Sequence, residues 1–160
     1  MTRVDAQHIE EACARIIRGA GQRFTDQRLA VIRGLITDPT KARNGYELHA
    51  ILHERGFCVL TVVAIYRIFK NFRELGIVRR IGTLDGSYVL SRIDNGRTTV
   101  SCCLLVDPEN GTAQEVRIPS DLSQALRRVA EENNVKIASA HIELRLVSDD
   151  TEATKEGSDA

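Results

Sequence analysis

Apolar residues recur every three or four positions along the first half of the chain, and this spacing predicts four helices. The first covers residues 5–18. Thr25 is a suitable N-cap for the second, which Asp38-Pro39 ends. The third lies in the segment GYELHAILHERG, and Thr61 is a suitable N-cap for the fourth. The spacing therefore indicates a small helical core.

The pattern changes to alternation after Gly76. The segments IVRRIGT and YVLSRI flank Asp85-Gly86, which predicts a β-hairpin. Farther on, RTTVSCCLLV, TAQEVRI and VKIASAHIELRLV are predicted strands. A helix is expected after Pro119, with Ser120 or Asp121 as its cap. The order of elements predicts an α+β fold.

We expect three regions along the chain. Residues 1–92, with four helices and a hairpin, are typical of a winged helix-turn-helix domain. Residues 97–147 are predicted to form a small α/β domain, and the turn signal DNGR marks the boundary. Residues 148–160 are polar and acidic, which favours a disordered tail.

Charge is distributed unevenly between the two halves, although the net charge is zero. Residues 1–80 contain 14 Lys and Arg against 8 Asp and Glu, and residues 81–160 contain 8 against 14. The first half is therefore suited to binding a polyanion. Acidic residues of the second half are expected on a solvated surface; they include Asp107, Glu109, Glu115, Glu131 and Glu132.

The fourth helix has an unusual second face. Its apolar face contains Ile65, Phe69 and Phe72, whereas Val63, Tyr66, Arg67 and Lys70 lie on the other side at 100° per residue. Arg can contact a guanine edge, an apolar group can touch a thymine methyl, and Lys or Tyr can hold phosphates. The alternative interpretation is a solvated face of an ordinary helical bundle.

Several segments together resemble the ferric uptake regulator family. They are GQRFTDQRLAVIRGL, YELHAIL, TVVAIYRIFKNFRELGIVRR and GSYVL, in that order and spacing. The likeness covers residues 10–92 well and continues more weakly to about residue 147. Tyr66-Arg67 matches the central pair of the family's recognition helix, although the chain has VAIYRIF where the family has ATVYRxL.

The resemblance implies a bacterial transcriptional regulator that binds operator DNA as a homodimer. The C-terminal α/β domain would be the dimerisation domain. Tyr66 and Arg67 match the base- and phosphate-contacting pair, and Arg23, Thr25 and Arg28 match a second family motif. Together with the hairpin arginines, the candidate DNA-binding residues are Arg23, Thr25, Arg28, Thr61, Val63, Tyr66, Arg67, Lys70, Arg79 and Arg80.

The chain departs from the family in its metal ligands. Family members have a histidine-rich segment before the second domain and paired cysteines for zinc, whereas the segment here contains no histidine. We therefore expect weakened or absent metal control. A reduced Zn(II) or Fe(II) site could use Cys102 or Cys103 with His141, although adjacent strand residues point to opposite faces. A second candidate is His49 with His53, at i and i+4.

Other classes of protein are less consistent with the sequence. No nucleophile motif or phosphate-binding loop indicates an enzyme. No apolar run is long enough to span a bilayer and no signal-peptide core is present, so we expect a cytoplasmic protein without membrane contact. The main alternative to a DNA-binding repressor is a heterodimerising or protein-interaction module that binds DNA poorly alone.

Overall fold

The computed structural model describes residues 3–57, 60–94, 97–98, 101–135 and 140–147. Its first part contains four helices in the predicted positions. They are α1 (Arg3–Gly19), α2 (Asp26–Ile36), α3 (Gly45–Glu54) and α4 (Val62–Glu74). Residues 58 and 59, in the turn between α3 and α4, and the predicted tail, residues 148–160, lie outside the described residues.

Side-chain caps fix the start of three helices. The hydroxyl of Thr25 accepts a hydrogen bond from the backbone N–H of Arg28, as predicted for α2. The hydroxyl of Thr61 accepts one from Ala64, as predicted for α4. Asn44 forms a reciprocal capping box with Glu47 at the start of α3. These bonds satisfy N–H groups that have no partner within the helix.

The helices enclose one apolar core. The largest side chains with almost no exposure in this cluster include Ile17, Ile32, Leu35, Leu48, Leu52, Ile65, Phe69, Phe72 and Ile77. Gly34 allows α2 and α3 to approach closely, since a Cβ there would lie 2.6 Å from Cδ1 of Leu48. Burial of each large apolar side chain contributes about 1.5–3 kcal/mol, so this core orients α4.

An antiparallel hairpin follows α4. Strands β1 (Val78–Arg80) and β2 (Tyr88–Leu90) pair with Val78 opposite Leu90. Both are shorter than predicted. After β1 the chain turns, with the Ser87 N–H bonded to the Leu84 carbonyl, and beyond β2 Ile93 pairs instead with Thr98. Gly86 lies in this turn with φ +65, as its place in the predicted Asp-Gly turn requires. We call residues 78–90 the wing.

The C-terminal part is a three-stranded sheet with one helix. After the short strands β3 (Ile93–Asp94) and β4 (Arg97–Thr98), the order along the chain is β5 (Ser101–Asp107), β6 (Thr112–Arg117), α5 (Ser120–Glu132) and β7 (Ala140–Arg145). Strand β5 is central, antiparallel to β6 and parallel to β7. Within the described residues the predicted strands and helix are confirmed, although RTTVSCCLLV is divided between β4 and β5. Residues 99–100 and 136–139 of the predicted strands lie outside the described residues. The predicted cap of α5 is wrong, because Pro119 is the N-cap and its side chain accepts no hydrogen bond from the helix.

A second apolar cluster joins the wing to the sheet. Its buried members are Ala42, Ile81, Val89, Leu104, Val106 and Ala113. The side chains thus come from the loop after α2, from the wing, and from β5 and β6. The predicted domain boundary near residues 93–97 remains a prediction. Strands β3 and β4 overlap its two ends, and residues 95 and 96 lie outside the described residues.

Two further findings concern a buried carboxylate and the search for membrane-spanning helices. The expectation of a solvated Glu115 is wrong, because β6 turns this side chain inward, where it is 8% exposed. No helix among the described residues is long and apolar enough to cross a membrane.

Candidate nucleic-acid interface

The outer face of α4 is exposed as predicted. Val63 is 62% exposed, and the side chains of Arg67 and Lys70 are also exposed. The opposite face places Ile65 and Phe69 in the core with no exposure. Because positions 63, 67 and 70 lie one helical turn apart, they form a continuous surface with one apolar group and two cations.

Tyr66 lies between this surface and the core, which differs from the outward position expected from the helical pattern. It is half-buried, and its ring meets Phe69 edge-on at a centroid distance of 6.2 Å. A Cβ on Gly45 would lie 2.6 Å from Cε2 of Tyr66. The ring therefore covers the start of α3, and any DNA contact would come from the exposed part of its edge or hydroxyl.

The residues before α2 meet α4 at one surface pocket. Its lining residues are Arg23, Thr25, Gln27, Arg28, Arg67, Ile68 and Asn71. Arg23 and Arg67 are exposed, so two cations from separate segments share this surface. The structure thus brings the motif that contains Arg23, Thr25 and Arg28 next to Arg67 of the recognition-helix motif, although the two motifs are distant in the sequence.

Arg28 and the capping threonines have structural partners. The guanidinium of Arg28 donates to the carbonyl of Arg23 at 2.5 Å and to Oε1 of Gln22 at 2.7 Å. These bonds hold the turn before α2. The hydroxyls of Thr25 and Thr61 accept hydrogen bonds from helix N–H groups. The DNA-binding roles predicted for these three residues remain predictions.

Arg79 and Arg80 point in different directions because they alternate along β1. Arg80 is exposed, whereas the side chain of Arg79 is 21% exposed. The Nη2 atom of Arg79 lies 3.6 Å from Oε1 of Glu115 on β6. Arg80 therefore adds to the exposed cations of the wing, while Arg79 is placed against the C-terminal sheet.

The pairing of β5 with β7 places the first set of candidate metal ligands, Cys102, Cys103 and His141, near one another. Cys102 lies opposite His141, and Cys103 lies opposite Ile142, across the β5–β7 pair. The side chains of Cys102 and His141 lie outside the described part of the chain, and Cys103 is buried. His49 and His53 lie one turn apart on α3.

The donor groups that the structure describes do not fit a metal site. In the part of the chain with described side chains, no three His, Cys, Asp or Glu groups converge. Glu115 is the buried carboxylate where the wing meets the sheet, but the Arg79 cation and the Arg92 N–H already face its two oxygens. A divalent ion there would be repelled by the guanidinium.

Sequence reasoning missed Glu143 as a residue of interest. Its carboxylate accepts hydrogen bonds from the backbone N–H groups of Gly82 and Thr83, which lie 61 and 60 residues earlier. Nothing in the local pattern of β7 indicates this contact, because strand alternation predicts only which face the side chain occupies.

Comparison with known proteins identifies relatives of this chain. The sequence profile of the ferric uptake regulator family matches residues 19–145. A comparison with curated protein sequences found no significant match.

Solved structures share the fold over almost the whole chain. A zinc uptake regulator complexed with zinc and DNA is 20% identical, with a TM-score of 0.73 over 94% of this chain and 96% of that one. The holo form of XcZur is 22% identical, with a TM-score of 0.68 over 92% and 99%. The Vibrio cholerae ferric uptake regulator is 21% identical, with a TM-score of 0.60 over 84% and 98%. The predicted fold is confirmed.

Proposed function

The chain belongs to the ferric uptake regulator family, and from this premise we propose that it is a DNA-binding transcriptional regulator which represses genes by occupying operator DNA as a homodimer. The observation that carries the proposal is the exposed face of α4, with Val63, Arg67 and Lys70 side by side. The family assignment also agrees with the expectation that the chain is not an enzyme.

The chemistry of this face suits the major groove. A planar guanidinium at Arg67 can donate two parallel hydrogen bonds to guanine, and Val63 can pack against a thymine methyl. Lys70, Arg23 and Arg80 would neutralise phosphates and release counterions, which supplies affinity without regard to sequence. Each of these three side chains is exposed.

The C-terminal part offers a surface for a second copy. Strand β7 is an edge of the sheet, and large apolar side chains are exposed on it and on α5. They include Leu122 at 37%, Val129 at 57% and Leu144 at 49%. Covering this surface with the same surface of another chain would bury it, and a two-fold dimer would place two copies of α4 on neighbouring half-sites.

Control by metal is proposed to be weak or absent, since the segment before the second domain contains no histidine and the adjacent Cys102 and Cys103 replace a spaced cysteine pair. The register of Cys102 and His141 leaves a reduced site with Zn(II) or Fe(II) as the metal-binding candidate. We place the regulator in the cytoplasm, where its DNA target is.

Loss of the Arg67 guanidinium should weaken operator binding. A duplex is first selected from a random library by purified protein, and affinity is then measured by fluorescence anisotropy. We expect Arg67→Ala to cost about 1–3 kcal/mol if Arg67 contacts a base. Arg127→Ala is the matched control, because it removes an exposed cation from the side of α5 that faces away from Leu122 and Val129.

The end point of the same titration gives the number of chains bound to each duplex, and so tests whether the protein binds as a dimer. We expect two chains per selected duplex and a site with two related halves. Failure to enrich any duplex would contradict the proposed function and favour a protein-interaction module. Equal loss in the Arg67 and Arg127 variants would remove Arg67 from the base-reading surface.

A further inference from the structure

The wing is bonded to β7 through one carboxylate. Oε2 of Glu143 accepts a hydrogen bond from the Gly82 N–H at 2.9 Å. Oε1 accepts two, from the N–H of Thr83 at 2.9 Å and from its hydroxyl at 2.5 Å. Hydrogen bonds to an ionised acceptor are about twice as strong as neutral ones. The wing loop is thus held at a fixed place on the sheet.

A second carboxylate joins the end of the wing to β6. Oε2 of Glu115 accepts a hydrogen bond from the Arg92 N–H at 2.9 Å, and Oε1 lies 3.6 Å from Nη2 of Arg79. Glu115 is 8% exposed. A buried carboxylate with these partners fixes the chain on both sides of it, because loss of either partner would leave a charge in an apolar setting.

Backbone pairing adds a third connection. The N–H of Ala42 donates to the Gly111 carbonyl at 3.0 Å, and the N–H of Ala113 donates to the Thr40 carbonyl at 2.7 Å. The ammonium of Lys41 donates to the Asn110 carbonyl at 2.5 Å. The loop that links α2 to α3 is therefore tied to the β5–β6 turn.

The polar connections surround shared apolar contacts. Ile81 and Val89 of the wing pack with Leu104 and Val106 of β5, and all four are at most 1% exposed. Because interiors are close-packed, such a cluster resists sliding of the wing over the sheet. Together, the contacts of Glu143 and Glu115, the backbone pairing and this cluster form what we call the interdomain clamp.

We propose that the interdomain clamp, rather than a bound metal, sets the position of α4 relative to the C-terminal sheet and so makes the chain competent to bind DNA. The inference rests on the proposed function. Every part of the clamp is supplied by the chain itself. The orientation of α4 relative to the C-terminal sheet is therefore set during folding, and a dimer formed through that sheet would convert it into the spacing of the two half-sites.

The test combines two measurements on the full chain. Amide hydrogen exchange without DNA reports whether Gly82 and Thr83 are held by Glu143. Anisotropy with the selected duplex, in EDTA and without it, reports binding. We expect EDTA to change the affinity of the unaltered protein by less than twofold. Glu143→Gln should speed exchange at these amides at least tenfold and weaken duplex binding at least tenfold, since its amide group turns a donor toward an N–H.

Two further variants sharpen the result. Thr83→Val removes only the hydroxyl bond, so a smaller loss of affinity is expected from a chain that retains its fold. Glu131→Gln removes the same charge from an exposed position on the side of α5 opposite Leu122 and Val129, and it should leave both measurements unchanged.

Three outcomes would overturn the proposal. These are a loss of binding above tenfold in EDTA, unchanged exchange in Glu143→Gln, or fast exchange with unchanged duplex affinity. A separate result identifies failure of the proposed function. If the unaltered protein selects no duplex, DNA binding fails as a whole, whereas a failed clamp leaves the unaltered protein and Glu143→Gln binding equally well.

Discussion

Cys13 illustrates how packing controls chemistry at the scale of one residue. Its side chain is fully buried in the helical core. Burial, with the negative charge of Glu10, raises the pKa of the thiol to about 12, from 9.0. At neutral pH the group is a neutral thiol, so it packs as a small apolar residue and does not act as a nucleophile.

The raised pKa of Cys13 predicts a loss of stability in alkali. The unfolded chain releases this proton near pH 9, while the folded chain keeps it until about pH 12. Between these values the free energy of unfolding should fall by up to about 1.4 kcal/mol per pH unit. Urea unfolding at pH 8 and at pH 10 measures this fall in the free energy of unfolding. Cys13→Ala should have the shallower dependence on pH, and equal slopes would contradict the assignment.

Glu115 shows the limit of prediction at this scale. The sequence placed it among solvated acidic residues, yet it is buried beside Arg79 and the Arg92 N–H. Strand alternation does put Ala113 and Glu115 on one face. The partners of Glu115, however, lie more than 20 residues earlier, and only the folded chain brings them to it.

At the scale of elements, helix ends were more predictable than strand ends. Thr25 and Thr61 cap α2 and α4 as expected, because an N-cap is a local interaction within four residues. The wing strands β1 and β2 are shorter than their alternating segments. Beyond β1, Ile81 packs against the sheet, and beyond β2, Ile93 pairs with Thr98. The packing of Ile81 is a tertiary effect with no local signal.

Contact between Gly45 and Tyr66 ties α3 to α4. A Cβ at Gly45 would lie 2.6–3.0 Å from three atoms of the Tyr66 ring, so Gly45→Ala must displace the ring or separate the helices. We expect a loss of about 1–3 kcal/mol in the free energy of unfolding, typical of an overpacked core. Chemical denaturation of purified protein measures the change.

A double-mutant cycle identifies the cause of that loss. In a Tyr66→Ala background the added methyl group has space, so Gly45→Ala should cost much less. Gly19→Ala is the control, because nothing lies within 4 Å of the new Cβ. Additive effects of the Gly45 and Tyr66 changes would contradict the proposed contact.

At the scale of the whole molecule, the sequence predicted two parts but not how they are joined. The residues of the interdomain clamp come from the loop after α2, the wing and the residues just after it, β5, β6 and β7. Its hydrogen bonds from Gly82, Thr83 and Lys41 span 60 residues or more. The outer face of α4 was predictable because it follows from helical period alone. The position of Arg23 beside this face and the contact of Arg79 with the sheet could not be predicted, because both depend on tertiary structure.

The central claim is that α4 faces DNA while α5 and β7 face a second copy of the chain. Photocrosslinking with a benzophenone side chain at position 63 or at position 122, in the presence of the selected duplex, tests it directly. Position 63 should crosslink to DNA, and position 122 should crosslink to another chain. Crosslinks from position 63 to protein, with DNA crosslinks only from position 122, would contradict the account.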